Sequence, residues 1–178
     1  MLDAIQRLLD LGIAAHLCRM PILGDRDSGK APLCRGWELK AKLTLEQITA
    51  DYQPGLNVGI HCGFVEGADY SVVVLDLDSP ESVQWATGTF PDTPIKTQTS
   101  KGQHWLYRHP GRGTKVRGTL IPGRTTDHIR GDGNQVVCAP SLHFSGVFYQ
   151  EIRPWTRELL DHMPVWQTAW EPLPKVIS

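Results

Sequence analysis

The sequence predicts an α+β domain in which a mixed or antiparallel sheet is flanked by helices. One observation is the run Val72-Val73-Val74-Leu75-Asp76-Leu77, β-branched and aliphatic enough to be a strand buried on both faces. A second is that strand-like runs are joined by turns too short for a parallel crossover, as at Ser100-Lys101-Gly102 and Gly131-Asp132-Gly133-Asn134. The third is that helical periodicity recurs between these runs.

Taken in order, Leu2, Ile5, Leu8 and Leu9 recur at helical spacing and Gly12 closes the first helix. Ile13 to Leu17 reads as a strand, and Met20 to Trp37 as a turn-rich loop. Thr44 caps a short helix from Leu45 to Asp51, with Glu46 and Gln47 in its first turn. Asn57 to Gly63 is a strand. After the Val72–Leu77 strand, Ser79-Pro80 is a helix start, cap followed by first helical residue. Strands follow at Ile95–Thr99 and Gln103–Arg108, then a glycine-rich irregular stretch from His109. A strand at Thr126–Arg130 turns at Gly131–Asn134, and Gln135–Cys138 is read as the strand that returns beside it. Phe148–Ile152 is a last strand and Thr156–His162 a last helix.

The 178 residues suffice for one domain with a sizeable core, spanning 1–170 as one body or as two lobes around a cleft. The Pro-rich stretch 171–178 reads as a tail or a linker to a further domain. No apolar run approaches the ~20 residues that cross a bilayer. No basic-then-apolar leader opens the chain, so a cytoplasmic protein without a membrane role is expected. Cys18, Cys34, Cys62 and Cys138 lack paired spacing and read as reduced thiols.

Two features carry chemistry. Asp76 and Asp78 sit two apart at the end of an apolar strand, so both point to one face. Such a pair is either a cradle for hard divalent cations or an acidic turn. Net charge is only −1, yet from Lys96 to Arg130 eight basic residues face the single acid Asp127. That segment is either a local site for an anionic partner, phosphate or nucleic-acid backbone, or a solvated basic surface.

Three stretches in fixed order, Leu75-Asp76-Leu77-Asp78, Thr99-Ser100-Lys101-Gly102-Gln103-His104 and His128-Ile129-Arg130 through Pro140-Ser141-Leu142-His143, resemble the N-terminal primase-polymerase domain of the archaeo-eukaryotic primase superfamily. The resemblance covers about Gly12 to Tyr149, with Lys30-Ala31-Pro32, Gly36-Trp37 and Asn57-Val58-Gly59-Ile60 as upstream markers. It implies a primase-like catalytic core with an RRM-like lobe and template-directed nucleotidyl transfer in replication of a plasmid, phage or mobile element. Asp76 and Asp78 would then hold two Mg²⁺ or Mn²⁺ ions. Ser100, Lys101, His104 and Arg130 would bind the nucleoside triphosphate, while Arg112, Lys115 and Arg117 meet a single-stranded DNA template. A replicative helicase, fused or separate, is the implied partner. Read without the resemblance, His104 is equally a satisfied half-buried histidine and Arg130 a salt-bridge partner of Asp127 or Asp132. Pro140–His143 is taken as structural, Trp37 as core and Lys30 as solvated.

One position departs from the family pattern. A third metal-binding carboxylate belongs two residues before Arg130, where this sequence has His128. Three readings stand: His128 is itself a ligand, favouring Mn²⁺; Asp127 or Asp132 replaces it through a distorted strand; or the domain is a catalytically weakened DNA- or nucleotide-binding module of a replication initiator.

Overall fold

Helix α1 (Leu2–Asp10) buries Ile5, Leu8 and Leu9, the face that the periodicity marks, and ends at Gly12 in the left-handed region. The structure, a computed structural model, describes residues 1–170; the stretch 171–178 lies outside the described residues. Strand β1 (Ala15–Cys18) precedes a long loop that contains one 3-10 turn at Trp37–Leu39. Helix α2 (Leu45–Thr49) has a full capping box between Thr44 and Gln47. Then come β2 (Asn57–His61), β3 (Val72–Leu77) and α3 (Pro80–Thr89), the last capped by Ser79, which accepts from the Ser82 N–H. The chain continues through β4 (Lys96–Gln98), β5 (Gln103–Arg108), β6 (Thr119–Leu120), β7 (His128–Arg130), β8 (Gln135–Val137), β9 (Gln150–Glu151) and α4 (Arg157–Asp161).

The strands form two sheets whose named pairings are all antiparallel: a small one ordered β1-β2-β8 and a large one ordered β6-β7-β3-β5-β4-β9. The fold is the α+β architecture the sequence predicts, with few and short helices. One expectation is corrected. The strand after Gly131–Asn134 does not return beside its predecessor, because β7 pairs with β3 and β6 while β8 pairs with β2. The turn carries the chain from one sheet to the other. Asp132 enforces this: its carboxylate accepts the N–H groups of Phe64 at 2.9 Å and Val116 at 2.7 Å, pulling the turn out of a hairpin course.

Alternation along β3 sorts two cores. Val73, Leu75 and Leu77 face a cluster with Ala86 of α3, Trp105, Tyr107, Ile129 and Trp166. Val72 and Val74 face the other way, into a cluster with Leu17, Val58 and Ile60 of the small sheet and α1. Continuing along that second face by the two-residue period of a strand gives Asp76 and then Asp78. The hydrocarbon layer between the sheets therefore ends where the carboxylates begin. No helix among the described residues is long and apolar enough to cross a membrane.

The turn Ser100–Gly102 reaches this strand end because Gly102 has no side chain: a Cβ there would lie 1.9 Å from the Leu77 carbonyl oxygen. Gly102→Ala is expected to lower stability in urea unfolding by about 1–3 kcal/mol, the cost of overpacking against backbone. Gly88, with open space around its Cβ position inside α3, supplies the contrast. Gly88→Ala should stabilise by roughly 0.5–1 kcal/mol. Equal effects from both would contradict this packing.

Candidate active site

Strand register puts a polar cluster around Asp76. Asp76 is the cross-strand partner of His104 on β5 and of His128 on β7, and Val74 is that of Arg130. Residues paired across a ladder share a face, so Arg130 and His128 both stand on the side of Asp76. Arg130 leans one pair along and donates to Asp76 Oδ2 through Nε at 3.0 Å and Nη2 at 2.8 Å. His104 Nε2 lies 3.3 Å from Asp76 Oδ1. Burial pushes the Asp76 carboxyl up, but His104 and Arg130 outweigh it and hold the group well below the usual carboxylate range.

Asp78 is displaced in the opposite direction. Burial, then the negative charges of Asp76 and Asp127, raise its carboxyl, and Lys30 and Lys101 only partly offset them. Its backbone is held from behind. Asp127, 1% exposed, accepts the Asp78 N–H through Oδ1 at 2.9 Å and Arg124 Nε through Oδ2 at 2.6 Å. Arg124 also donates to Ser82 Oγ at 2.6 Å, which ties the clasp to the first turn of α3. Burial raises the Asp127 carboxyl, and these donors together lower it below its ordinary value.

Both carboxylates open onto a cleft of about 620 Å³ between the two sheets. The large sheet contributes Asp76, His104 and Arg130, with Asp78 at its edge and Ser100 and Lys101 on the adjoining turn. Gln135, Val136 and Val137 of β8 form the facing wall, and Arg26, Asp27 and Lys30 reach in from the loop after β1. His143 and Tyr149 complete it. His143 Nε2 lies 3.4 Å from Ser100 Oγ and its Nδ1 2.8 Å from Ser145 Oγ. Burial, with Lys30 and Lys101 nearby, lowers the His143 pKa, so the ring is neutral at physiological pH.

Six of the residues singled out from sequence thus line one cleft: Asp76, Asp78, Ser100, Lys101, His104 and Arg130. Of the other four, His128 shares the face of Asp76 but does not line the cleft, and its Nδ1 sits 2.7 Å from the Thr126 carbonyl oxygen. Arg112, Lys115 and Arg117 also lie outside it; all three are exposed, and Arg112 is paired with Glu66. Neither Asp127 nor Asp132 replaces His128, because both carboxylates are occupied by backbone N–H groups. Arg130 pairs with Asp76 rather than with either of them. Sequence reasoning missed His143, set aside as structural, together with Tyr149, Arg26 and Asp27. Only the motif order around Pro140–His143 could have drawn attention to the histidine.

Among the described residues no three His, Cys, Asp or Glu side chains are grouped so as to hold a metal ion. The expected three-donor set of Asp76, Asp78 and His128 is therefore not assembled. Two carboxylates on one wall still fit a hard cation of the Mg²⁺ kind, which commonly takes one or two protein carboxylates and completes its shell with substrate phosphates and water. The basic and hydroxyl groups around them suit those phosphates.

A family model for the N-terminal domain of bifunctional DNA primase/polymerases matches residues 7–166. The chain belongs to that family, whose chemistry is nucleotidyl transfer of the DNA primase/polymerase type. No curated protein compared with the chain matches it.

The opposite displacements of the two carboxyls predict opposite effects on stability. Asp76, held low, stabilises the folded state above the unfolded carboxyl value of about 3.9. That contribution is lost as pH falls through the folded value. Asp78, held high, opposes folding at neutral pH, and the opposition fades as pH falls through its raised folded value, to be gone below about 3.9. Urea unfolding at pH 7 should therefore find Asp76→Asn less stable than the parent and Asp78→Asn more stable. Both differences should shrink on acidification, and the same sign for the two variants would contradict the arrangement.

Proposed function

We propose that this primase/polymerase-family domain performs template-directed nucleotidyl transfer in the cleft between its sheets. The terminal 3′-oxygen of a nucleic-acid strand attacks the α-phosphorus of a nucleoside triphosphate. The bond from that phosphorus to the bridging oxygen breaks, pyrophosphate leaves, and the hydroxyl proton passes to solvent. The observation that supports this reading is the cleft's two-sided chemistry. Paired carboxylates from the end of β3 face Ser100, Lys101, Lys30 and His143 across one space of about 620 Å³.

In this reading Asp76 and Asp78 hold the divalent ions, Mg²⁺ or Mn²⁺. Bound there, such ions neutralise the triphosphate and lower the pKa of the attacking hydroxyl. Lys101 and Ser100 hold phosphate oxygens, the first as a point charge and the second as a donor. Lys30 does the same from the opposing loop. His104 keeps Asp76 oriented, and Arg130, bonded to that carboxylate through Nε and Nη2 and lining the same cleft, offers its remaining N–H groups to phosphate. The Asp127 clasp fixes the backbone of Asp78. Use in a plasmid, phage or mobile element beside a helicase, and contact of Arg112, Lys115 and Arg117 with template backbone, belong to the same proposal.

A second reading is a non-catalytic nucleotide- or DNA-binding module. It is favoured by the closure of Asp76 onto Arg130 and by His128 facing Thr126.

Primer extension on single-stranded template, measured with Mg²⁺ and with Mn²⁺, separates the two. The enzyme reading expects incorporation that falls at least about 100-fold in Asp76→Asn and in Asp78→Asn, consistent with loss of several kcal/mol of charge stabilisation. Lys101→Ala should chiefly raise the nucleotide KM. His128→Asp should increase incorporation with Mg²⁺ if that position is the third donor. A folded parent that binds labelled nucleotide yet incorporates none with either ion would establish the binding module instead.

A further inference from the structure

His143 stands in the cleft wall on a loop that is fastened to the small sheet. Ser141 Oγ accepts the Val58 N–H at 2.9 Å. Asn57 takes both polar groups of Leu142, accepting its N–H at 2.9 Å and donating to its carbonyl at 2.8 Å. The same amide, 2% exposed, also donates to the Gly29 carbonyl at 2.9 Å. One buried side chain of β2 therefore fixes the residue before His143 and the residue before Lys30.

The ring is held as firmly as its backbone. Phe144 lies 3.9 Å from it, centroid to centroid, and Tyr149 is edge-on at 6.0 Å. Nδ1 accepts the backbone N–H of Ser145 at 3.2 Å and lies 2.8 Å from the Ser145 hydroxyl. A backbone N–H can only donate, so Nδ1 carries no proton and the neutral ring holds its proton on Nε2. That N–H faces Ser100 Oγ at 3.4 Å, beyond the usual N–H···O range of about 2.7–3.2 Å. The donor points at a second cleft-lining residue through a bond too long to occupy it fully.

The surrounding charge suits an anion. Lys30 and Lys101 act on His143 and on Asp78 alike, lowering the imidazole and partly offsetting the rise of the carboxyl. Both ammonium groups are thus within electrostatic reach of the strand-end carboxylate and of the histidine. A chain of phosphates that starts at a cation on Asp78 and follows these charges ends at His143 and Ser100.

We propose that His143 Nε2–H and Ser100 Oγ together hold the terminal phosphate of the nucleoside triphosphate, the end that departs with pyrophosphate. No proton is transferred. The histidine donates one hydrogen bond to a phosphate oxygen and stays neutral, as long as the Ser145 N–H occupies Nδ1. The contact makes the cleft select a triphosphate over a diphosphate. It rests on the nucleotidyl-transfer reading above and adds the residue that recognises the third phosphate.

Binding of a non-hydrolysable nucleoside triphosphate and of the matching diphosphate, each with Mg²⁺, tests this. The parent should prefer the triphosphate. His143→Phe keeps a ring between Phe144 and Tyr149 but lacks the donor. It should bind the triphosphate about tenfold more weakly, the loss of one hydrogen bond to a charged group, and the diphosphate unchanged. His143→Gln, which retains a side-chain N–H, should recover part of that loss. If both variants fail to fold, the ring ¹⁵N shifts of the parent decide. Nε2 should be the protonated nitrogen, and its resonance should move on adding triphosphate but not diphosphate. Equal weakening of both nucleotides, weakening of neither, a protonated Nδ1 or an Nε2 indifferent to triphosphate would overturn the terminal-phosphate contact and leave the catalytic reading in place. A folded parent that binds neither nucleotide would remove both. A parent that shows the expected preference yet incorporates nothing keeps the contact and loses only catalysis.

Discussion

The double hydrogen bond from Arg130 to Asp76 allows a strand buried at all its other positions to carry a carboxylate next to its end. An isolated ionised carboxylate in hydrocarbon costs many kcal/mol, and a group left so would protonate instead. Here the charge is matched by a guanidinium from the neighbouring strand β7 and by a histidine from the other neighbour, β5. Both partners are delivered by strand register, so the pairing of β3 with β5 and β7 and the ionisation of Asp76 depend on each other. Shift either strand by one residue and the histidine or the arginine moves to the face of Leu75 and Leu77, inside the core that packs against α3.

The same register explains why Asp76 and Asp78, two residues apart, are electrostatically unlike. Asp76 lies within the ladder and has a full set of partners. Asp78 lies one step beyond it, where the strand has ended and only Lys30 and Lys101 supply positive charge from a distance. A carboxylate with its charge already matched is a weak cation ligand; one with a raised pKa and no direct partner gains most when a cation arrives. In the proposed reaction Asp78 is thus the group whose environment changes most on loading, and the buried clasp of Asp127, Arg124 and Ser82 keeps its backbone from relaxing away.

Much of this was legible in the sequence because it is local. The Val72–Leu77 run, the Ser79-Pro80 start and the Thr44–Gln47 box are short-range patterns, and the structure has each where the pattern lies. The turn Gly131–Asn134 was recognised as a turn but not as a crossing between sheets. A hairpin and a sheet change share the same turn residues, and what separates them here comes from distant segments, among them the N–H groups of Phe64 and Val116 that hold Asp132. His143 escaped for a similar reason. Nothing within its own loop says that Ser100, more than forty residues earlier, will lie against it.

The basic segment shows how far charge density along a chain departs from charge available in space. Of its eight cations, Lys96 is paired with Asp92, Arg108 with Asp161, Arg112 with Glu66, Arg124 with Asp127 and Arg130 with Asp76. Their partners include acids well outside the segment, so the surplus read along the sequence is largely cancelled in the fold. Lys101, Lys115 and Arg117 remain, and of these three only Lys101 is at the cleft. It is joined there by Arg26 and Lys30, which come from a loop where Asp25 and Asp27 sit beside them in sequence and mask their charge. A positive field toward an anionic substrate is consequently set less by the segment richest in basic residues than by where the long loop after β1 is anchored. The stretch next to the cleft is anchored by side-chain bonds from Gln135 Nε2 to the Lys30 carbonyl at 2.7 Å and from Asn57 Nδ2 to the Gly29 carbonyl at 2.9 Å. Both donors stand on the small sheet. The large sheet presents the carboxylates, and the small one determines what faces them.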